Sequence, residues 1–441
     1  MKVINSTFVA AVALIGGLFI GAPMQAMAQG SADVGFTIPT EEEVAAAREN
    51  RRSYALGERL GRAVVTAFEQ YEEELIRDAI ATLESVTPRT EYEEAYIGRF
   101  LGTMWASLPE EEADMDRATD LLEAAVEKDV LSYSDQMSSL QLLGNLYLQA
   151  ERYEDAISAF RRYLQFRGVW EPDVLFRMAV GYMELKDFPR VITHARKAIE
   201  NYETPNHNPY VLMIGAYFEQ EDIPNAIAVL EEGIQEIPTQ IRWWSQLGAF
   251  YALNEQLDKS LSTLAIAYDA GYLDRSADFR YLVQMYANKN IPFYAAEVME
   301  RHMNNGDIDE TPQYWASTAR NFYTAREFER AGDVYNKAIA LAETDEDRLG
   351  YYRSQGDSYV LAEEYRRAAA SFQAALDIGT TDNDLMGRLY MSLAEAYFNS
   401  NQYRSAINAM RNATRYDATR RNAESWMEYI RQTAERRGVN L

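Results

Sequence analysis

Apolar residues recur three and four positions apart along most of this chain, the spacing that lines one face of an α-helix. The helical stripes are themselves periodic. A small or β-branched residue that opens every second stripe falls at Ala156, Val191, Ala226, Ser260, Ala295, Ala331, Ala368 and Ala406, in steps of 35, 35, 34, 35, 36, 37 and 38 residues. Twelve residues before each lies a matching position on the preceding helix: Gly144, Ala179, Ile214, Gly248, Val283, Ala319, Gly356 and Ala394. Small residues there let two helices cross closely, so Ile214 and Val283 depart from the pattern. Three residues further on stands an aromatic in every copy: Tyr147, Tyr182, Tyr217, Tyr251, Tyr286, Phe322, Tyr359 and Tyr397. These rings read as packing between helices and account for much of the tyrosine content.

The clearest copies are Leu143-Gly144-x-x-Tyr147 followed by Ala156 and Phe160, and Trp244-x-x-Leu247-Gly248-x-x-Tyr251 followed by Ser260, Leu264 and Ala267. Gly356-x-x-Tyr359, then Ala368, Phe372 and Ala375, is a third. The pattern resembles the tetratricopeptide repeat (TPR), a pair of helices with a period of about 34 residues. That resemblance implies an all-α fold: a TPR helical-repeat solenoid wound as a right-handed superhelix, whose first helices line a concave face. Each repeat touches only its neighbours, so one elongated domain is expected in spite of the length.

The eight repeats span residues 137–415. Residues 52–136 read as degenerate repeats. Leu101-Gly102-x-x-Trp105 pairs with Ala118, Leu122 and Ala125 at a spacing four residues too long, and the loop 109–114 absorbs the excess. Ala79, Leu83 and Val86 close an earlier repeat, with its first helix near residues 52–70. Residues 416–441 hold a capping helix, with Ala423, Trp426, Met427 and Ile430 on one stripe. Residues 29–51 read as a flexible leader and a helix start at Glu41-Glu42-Glu43, where acidic residues suit the helix dipole.

Residues 1–28 have the form of a secretory signal peptide. Lys2 is its positive end, residues 8–20 its uncharged apolar stretch, and Ala26-Met27-Ala28 its cleavage signal, so cleavage is expected after Ala28 and a periplasmic location follows. The stretch is short for a membrane span. With no other long apolar run, no span is expected in the mature form. The absence of cysteine excludes disulfides and thiolate chemistry. A formal net charge of −25 argues against nucleic acid as a partner, because a phosphate backbone demands a basic footprint. The end of the chain departs from this balance: from Gln402 onward eight arginines face four carboxylates, a second possible docking patch.

No motif for a nucleotide, a flavin, a hydrolase nucleophile or a zinc protease is present. The three histidines, His194, His207 and His302, fall in different repeats, so neither a metal nor a cofactor is expected. Acidic runs such as Glu72-Glu73-Glu74 splay around a helix and do not converge. The chain therefore reads as a non-catalytic scaffold for protein or peptide partners. On the groove phase of the first helices lie Arg242, Arg280, Arg320, Arg353 and Arg388, interleaved with Phe218, Tyr323 and Phe398. Guanidinium forks bind carboxylates in pairs of hydrogen bonds, which suits an acidic or C-terminal peptide. Asp357 and Glu395 share that phase.

A narrower resemblance covers roughly residues 240–430. It is carried by Leu247-Gly248-Ala249-Phe250-Tyr251, Ala267-Tyr268-x-Ala270-Gly271-Tyr272-Leu273, Pro292-x-x-Ala295-Ala296 and Trp426-Met427-x-Tyr429. These residues look like those of periplasmic TPR proteins associated with TonB–ExbB–ExbD energy-transducing systems. The resemblance implies an accessory role in TonB-type transport, with TonB, ExbB or ExbD as partners. A scaffold for outer-membrane or cell-wall assembly is the alternative. A hydrolase using a groove carboxylate is a second, and it requires an inner-face Asp or Glu with a raised pKa.

Overall fold

The computed structural model describes residues 32–109 and 111–441. The signal-peptide reading, with its cleavage point after Ala28, lies outside them. Among the described residues there are 22 helices and no strand. Helix α1 (Glu41–Asn50) stands apart from the ladder. Ten helical pairs follow, beginning with α2 (Glu58–Glu72) and α3 (Ile76–Glu84), α4 (Glu91–Ser107) and α5 (Met115–Glu127), and α6 (Tyr133–Gln149) and α7 (Tyr153–Arg167). Next come α8 (Pro172–Glu184) and α9 (Phe188–Asn201), α10 (His207–Glu219) and α11 (Ile223–Glu236), and α12 (Arg242–Leu253) and α13 (Leu257–Asp269). The last four are α14 (Ser276–Asn288) and α15 (Pro292–Asn305), α16 (Pro312–Thr324) and α17 (Phe328–Leu341), α18 (Asp345–Leu361) and α19 (Tyr365–Ile378), and α20 (Asn383–Asn399) and α21 (Tyr403–Ala413). Helix α22 (Arg420–Arg436) closes the stack, burying Ala423 and Ile430. Packing runs almost wholly between chain neighbours, as a helical solenoid requires.

The periodic small residues do what their size allows. Ala156, Ala226, Ala295, Ala331, Ala368 and Ala406 are fully buried at the crossings. Where the first helix carries glycine, a large side chain of the second fills the space: Phe160 faces Gly144, Leu264 faces Gly248 and Phe372 faces Gly356. Gly102 lies against Leu122 and Ala118 in the same manner, which places it at the crossing of α4 and α5 across their longer loop.

The periodic aromatics have a second task, in the backbone. The residue four positions beyond each adopts a left-handed conformation: Glu151, Lys186, Glu221, Glu255, Asn290, Arg326, Glu363 and Asn401 all have φ between 56° and 65°. The next backbone N–H then reaches back to the aromatic residue's carbonyl, as from Arg152 to Tyr147 at 2.8 Å, Glu327 to Phe322 at 2.9 Å and Gln402 to Tyr397 at 2.8 Å. This closure ends each first helix and starts the turn to the second. Glu74 repeats it at the first pair, with Leu75 N–H donating to Gln70 at 2.8 Å.

Three expectations are corrected. Val283 is only half-buried, whereas Ile214, also β-branched at the same position of α10, is buried. The first helix of the earliest pair opens at Glu58, later than expected. Finally, residues 32–51 are not a free leader but a strap. The Ala32 N–H donates to Glu200 at 3.0 Å. Val34 is buried among α5–α9 residues. The Phe36 ring packs 5.4 Å from that of Trp170, with the Arg161 guanidinium 5.3 Å from its centre. Thr40 caps α1 through a reciprocal pair of bonds with Glu43. Val44 then rests against Gly168, whose φ of +69° and missing Cβ make room for it. Arg51 anchors the far end, donating to the Leu131 carbonyl at 2.7 Å and pairing with Asp129 at 2.9 Å.

Candidate functional site

First helices pack on second helices through one side and leave the opposite side open, and in a solenoid those open sides form a continuous inner face. Arg242, Arg280, Arg320, Arg353 and Arg388 occupy this face on α12, α14, α16, α18 and α20, and all five are exposed. None takes part in an ion pair among the described residues. Some other arginines are ion-paired, as Arg99 is to Asp135, Arg117 to Glu84, Arg275 to Asp278 and Arg367 to Asp333, while others such as Arg301 and Arg366 have no ion pair among the described residues. Of the five, Arg280 alone is steadied by a side chain, donating to the Tyr314 hydroxyl at 2.9 Å.

The arrangement is densest around α18. Asp357 lies within electrostatic reach of Arg353 and of Glu395 on α20. Its carboxyl is pushed above the usual aspartate value, chiefly by desolvation in the recess; Arg353 opposes the shift and Glu395 adds to it. Its side chain is still exposed to solvent, so the recess crowds it without sealing it. Arg320 faces Tyr335 and Tyr351, whose rings lie 6.4 Å apart. Those two tyrosines were not singled out from the sequence. They stand on α17 and α18, so no phase within the helix of Arg320 marks them.

Of the three expected aromatics, two stand on the inner face. Phe218 is 39% exposed and meets Phe250 edge-on at 5.8 Å. Tyr323 is 38% exposed and meets Phe328 at 5.4 Å. Phe398 is a correction: it is half-buried and lies 5.6 to 5.9 Å from Tyr403, Trp426 and Tyr429. The capping helix α22 takes the place of a following repeat and covers it. In the basic end of the chain Arg420 pairs with Asp417 and Arg431 with Glu428, and Arg437 donates to Asn401 and Tyr403. Of these contacts, those of Arg437 tie the end of the chain to α21 and to the turn before it, while the two ion pairs are local.

Exposed guanidinium groups without ion pairs are able to donate hydrogen bonds to an anion. No other side chain donates a hydrogen bond to Asp357 among the described residues. Nor do three or more His, Asp or Glu side chains converge there as a metal site would need. His194 and His302 are both buried. Among the described residues no helix is long and apolar enough to cross a membrane.

Residues 103–168 and 387–420 match family descriptions of the tetratricopeptide repeat. No curated protein matches the chain. Among solved structures it is similar to one of Naa15/Naa10 bound to HypK-THB, at 12% identity and a TM-score of 0.45, over 84% of this chain and 66% of that one. It is also similar to the TPR2AB domain of yeast Sti1 in a complex with pHSP90, at 18% identity and a TM-score of 0.32, over 59% of this chain and 96% of that one. A tetratricopeptide repeat protein from Parabacteroides merdae gives 11% identity and a TM-score of 0.31, over 59% and 98%. The chain is an all-α repeat protein that carries tetratricopeptide repeats.

Proposed function

We propose that this protein is a non-catalytic periplasmic scaffold whose inner face binds acidic segments or C-terminal carboxylates of other proteins, as an accessory of a TonB-type transport system. One observation carries the binding mode: five exposed arginines on five successive first helices lack ion pairs in a chain of net charge −25. Unpaired guanidinium groups need not break an ion pair when a carboxylate arrives, so their fork geometry is available to a ligand at the cost of side-chain freedom. The location is supported by the form of residues 1–28, and the TonB assignment by the sequence resemblance over residues 240–430.

Fluorescence anisotropy with an acidic peptide ending in a free carboxylate tests the binding mode. Charge reversal at Arg353→Glu and Arg388→Glu should weaken binding at least tenfold, and raised salt should weaken the unaltered protein. Unchanged affinity in the double variant refutes it. Crosslinking in the native periplasm separates the partners. Capture of TonB, ExbB or ExbD supports the transport role, whereas cell-wall or outer-membrane assembly proteins without them replace it. The raised carboxyl of Asp357 favours a second reading, hydrolysis by a groove carboxylate. In that case Asp357→Asn abolishes a turnover that the arginine variants retain.

A further inference from the structure

The strap seats on a histidine whose second ring nitrogen has no partner. His194 stands between Val191 and Ala198 on one buried stripe of α9, and Val34 of the strap joins those two in the same core cluster. The His194 Nδ1 meets the Arg190 carbonyl at 2.8 Å. A carbonyl only accepts, so Nδ1 carries the hydrogen and Nε2 is the atom that would take a proton. That Nε2 is buried and has no hydrogen-bond partner among the described residues. Two rings pack about the imidazole: Tyr182 of α8, 4.7 Å away, and Phe36 of the strap, 6.5 Å away.

The surroundings resist the charge. Burial foremost holds the His194 pKa down, to about 4, against the pull of the Arg190 carbonyl. The guanidinium groups of Arg161 on α7 and Arg190 on α9 add to that effect, and Asp187 before α9 opposes it. Farther along α9, Lys197 lies 5.4 Å from the centre of the Trp170 ring, and Glu200 takes the Ala32 N–H. Asp33 on the strap accepts from its own Gly35 N–H at 2.9 Å.

A protonated His194 needs water or an acceptor at Nε2, so one of its covers has to move. Tyr182 is buried within the ladder. Phe36 belongs to a segment with a hinge of its own, since residues 52–55 between α1 and α2 are exposed and lie outside any helix. Among the described residues the hydrogen bonds from strap to ladder lie at its two ends, from Ala32 to Glu200 and from Arg51 to Leu131 and Asp129. Between them the hold is made by Val34, Phe36 and Val44. The Arg161 guanidinium sits 5.3 Å from the centre of the Phe36 ring, so departure of that ring also lets this cation swing away from the imidazole.

We infer that the strap is an acid-operated latch: protonation of His194 lifts residues 32–51 from α5–α9 while the repeats stay folded, and bares the apolar stripe of α9. A lifted strap lets the imidazole take up its proton near the ordinary value of about 6.5, whereas the seated one delays uptake to about pH 4. The lifted fraction therefore rises as pH falls between those values and levels off below them. Local opening of this kind exposes far less surface than unfolding of the whole ladder.

Hydrogen exchange of the full chain, read by mass spectrometry and corrected for the intrinsic pH dependence of exchange, tests the latch. Helix α1 is the reporter, because a helix of 10 residues does not hold in water by itself. Its opening constant should rise roughly ten- to a hundredfold between pH 7 and 4.5, while α12–α21 stay unchanged. His194→Gln, neutral throughout, should abolish the rise. Linkage demands the converse as well: Phe36→Ala should raise the His194 pKa toward 6.5 in an NMR titration of its ring. Should His194→Gln misfold, that titration decides. An α1 opening constant indifferent to pH, a rise shared equally by α12–α21, or a His194 pKa that Phe36→Ala leaves in place overturns the assignment. So does a rise that persists in His194→Gln, which would assign it to the anchoring carboxylates of Glu200 and Asp129.

Discussion

Gly144 stands so near Phe160 that a Cβ on it would lie 2.6 Å from the ring. Gly356 has the same relation to Phe372, again at 2.6 Å. Both rings are fully buried and have no free volume to retreat into. Gly144→Ala and Gly356→Ala are expected to destabilise by about 1–3 kcal/mol each, although alanine is the better helix former. Gly61 and Gly350 are the controls, being helical glycines with open space around the Cβ position. Their alanine variants should gain up to about 1 kcal/mol. Urea denaturation measures all four, and equal signs in the two sets would contradict the packing account.

The left-handed turn residues are a reservoir of removable strain. Arg326 holds φ at 65° with a full side chain, which costs roughly 1 kcal/mol. Arg326→Gly should relieve that cost, less the added freedom of glycine in the unfolded chain, and raise Tm slightly. Arg326→Val, with a β-branched side chain, should lower stability by more than about 1 kcal/mol. Thermal unfolding followed by circular dichroism distinguishes the pair.

His194 makes stability depend on acid. Its Nδ1 donates to the Arg190 carbonyl at 2.8 Å, while Nε2 is buried without a partner beneath the rings of Tyr182 and Phe36. Burial above all pushes its pKa down to about 4, against the raising effect of the Arg190 carbonyl. The unfolded chain therefore takes up the proton first, near pH 6.5. Stability is full above that value, declines as pH falls toward about 4, and levels off below, with a loss on the order of 3 kcal/mol. His194→Phe should flatten this stretch of the curve, as denaturant titrations at pH 7 and 4.5 would show. An unchanged slope would mean that other groups set it.

On the inner face, Arg353 restrains the rise of the Asp357 carboxyl pKa. Arg353→Ala should move that pKa further up, and Glu395→Gln should move it down by removing a like charge. Carboxyl NMR titration reads both directions. Shifts of the opposite sign would show that the three groups do not share a recess.

Much of this architecture was legible because a solenoid is nearly one-dimensional. A small residue at Ala156 and a ring at Tyr147 need only each other and the next copy, so their period is written in the chain. What stayed hidden follows from contacts without a local signature. The left-handed turns hold Glu, Lys, Arg and Asn, so no glycine marks them. That Ile214 is buried while Val283 is only half-buried at the same position of the repeat depends on how their neighbours pack. Phe398 has the groove phase, and only the arrival of Trp426 and Tyr429 converts it to cap packing. The arginine row was visible by phase, whereas its freedom from ion pairs required every other arginine to be placed. The strap was misread because Gly35 and Pro39 suggested a loop, although Val34, Phe36 and Ile38 alternate as a one-sided extended segment should.

The strap also imposes an order on the birth of the molecule. The ladder of helices can form pair by pair as the chain lengthens, since each pair needs only its predecessor. Ala32, however, bonds to a residue 168 positions later. Its seat does not exist until α9 has been made, so a segment that leaves the ribosome early must wait while four helical pairs assemble. Until then Val34 and Phe36 remain uncovered, a natural handle for a chaperone. Once seated, they join repeats that would otherwise fray one at a time into a block that opens together.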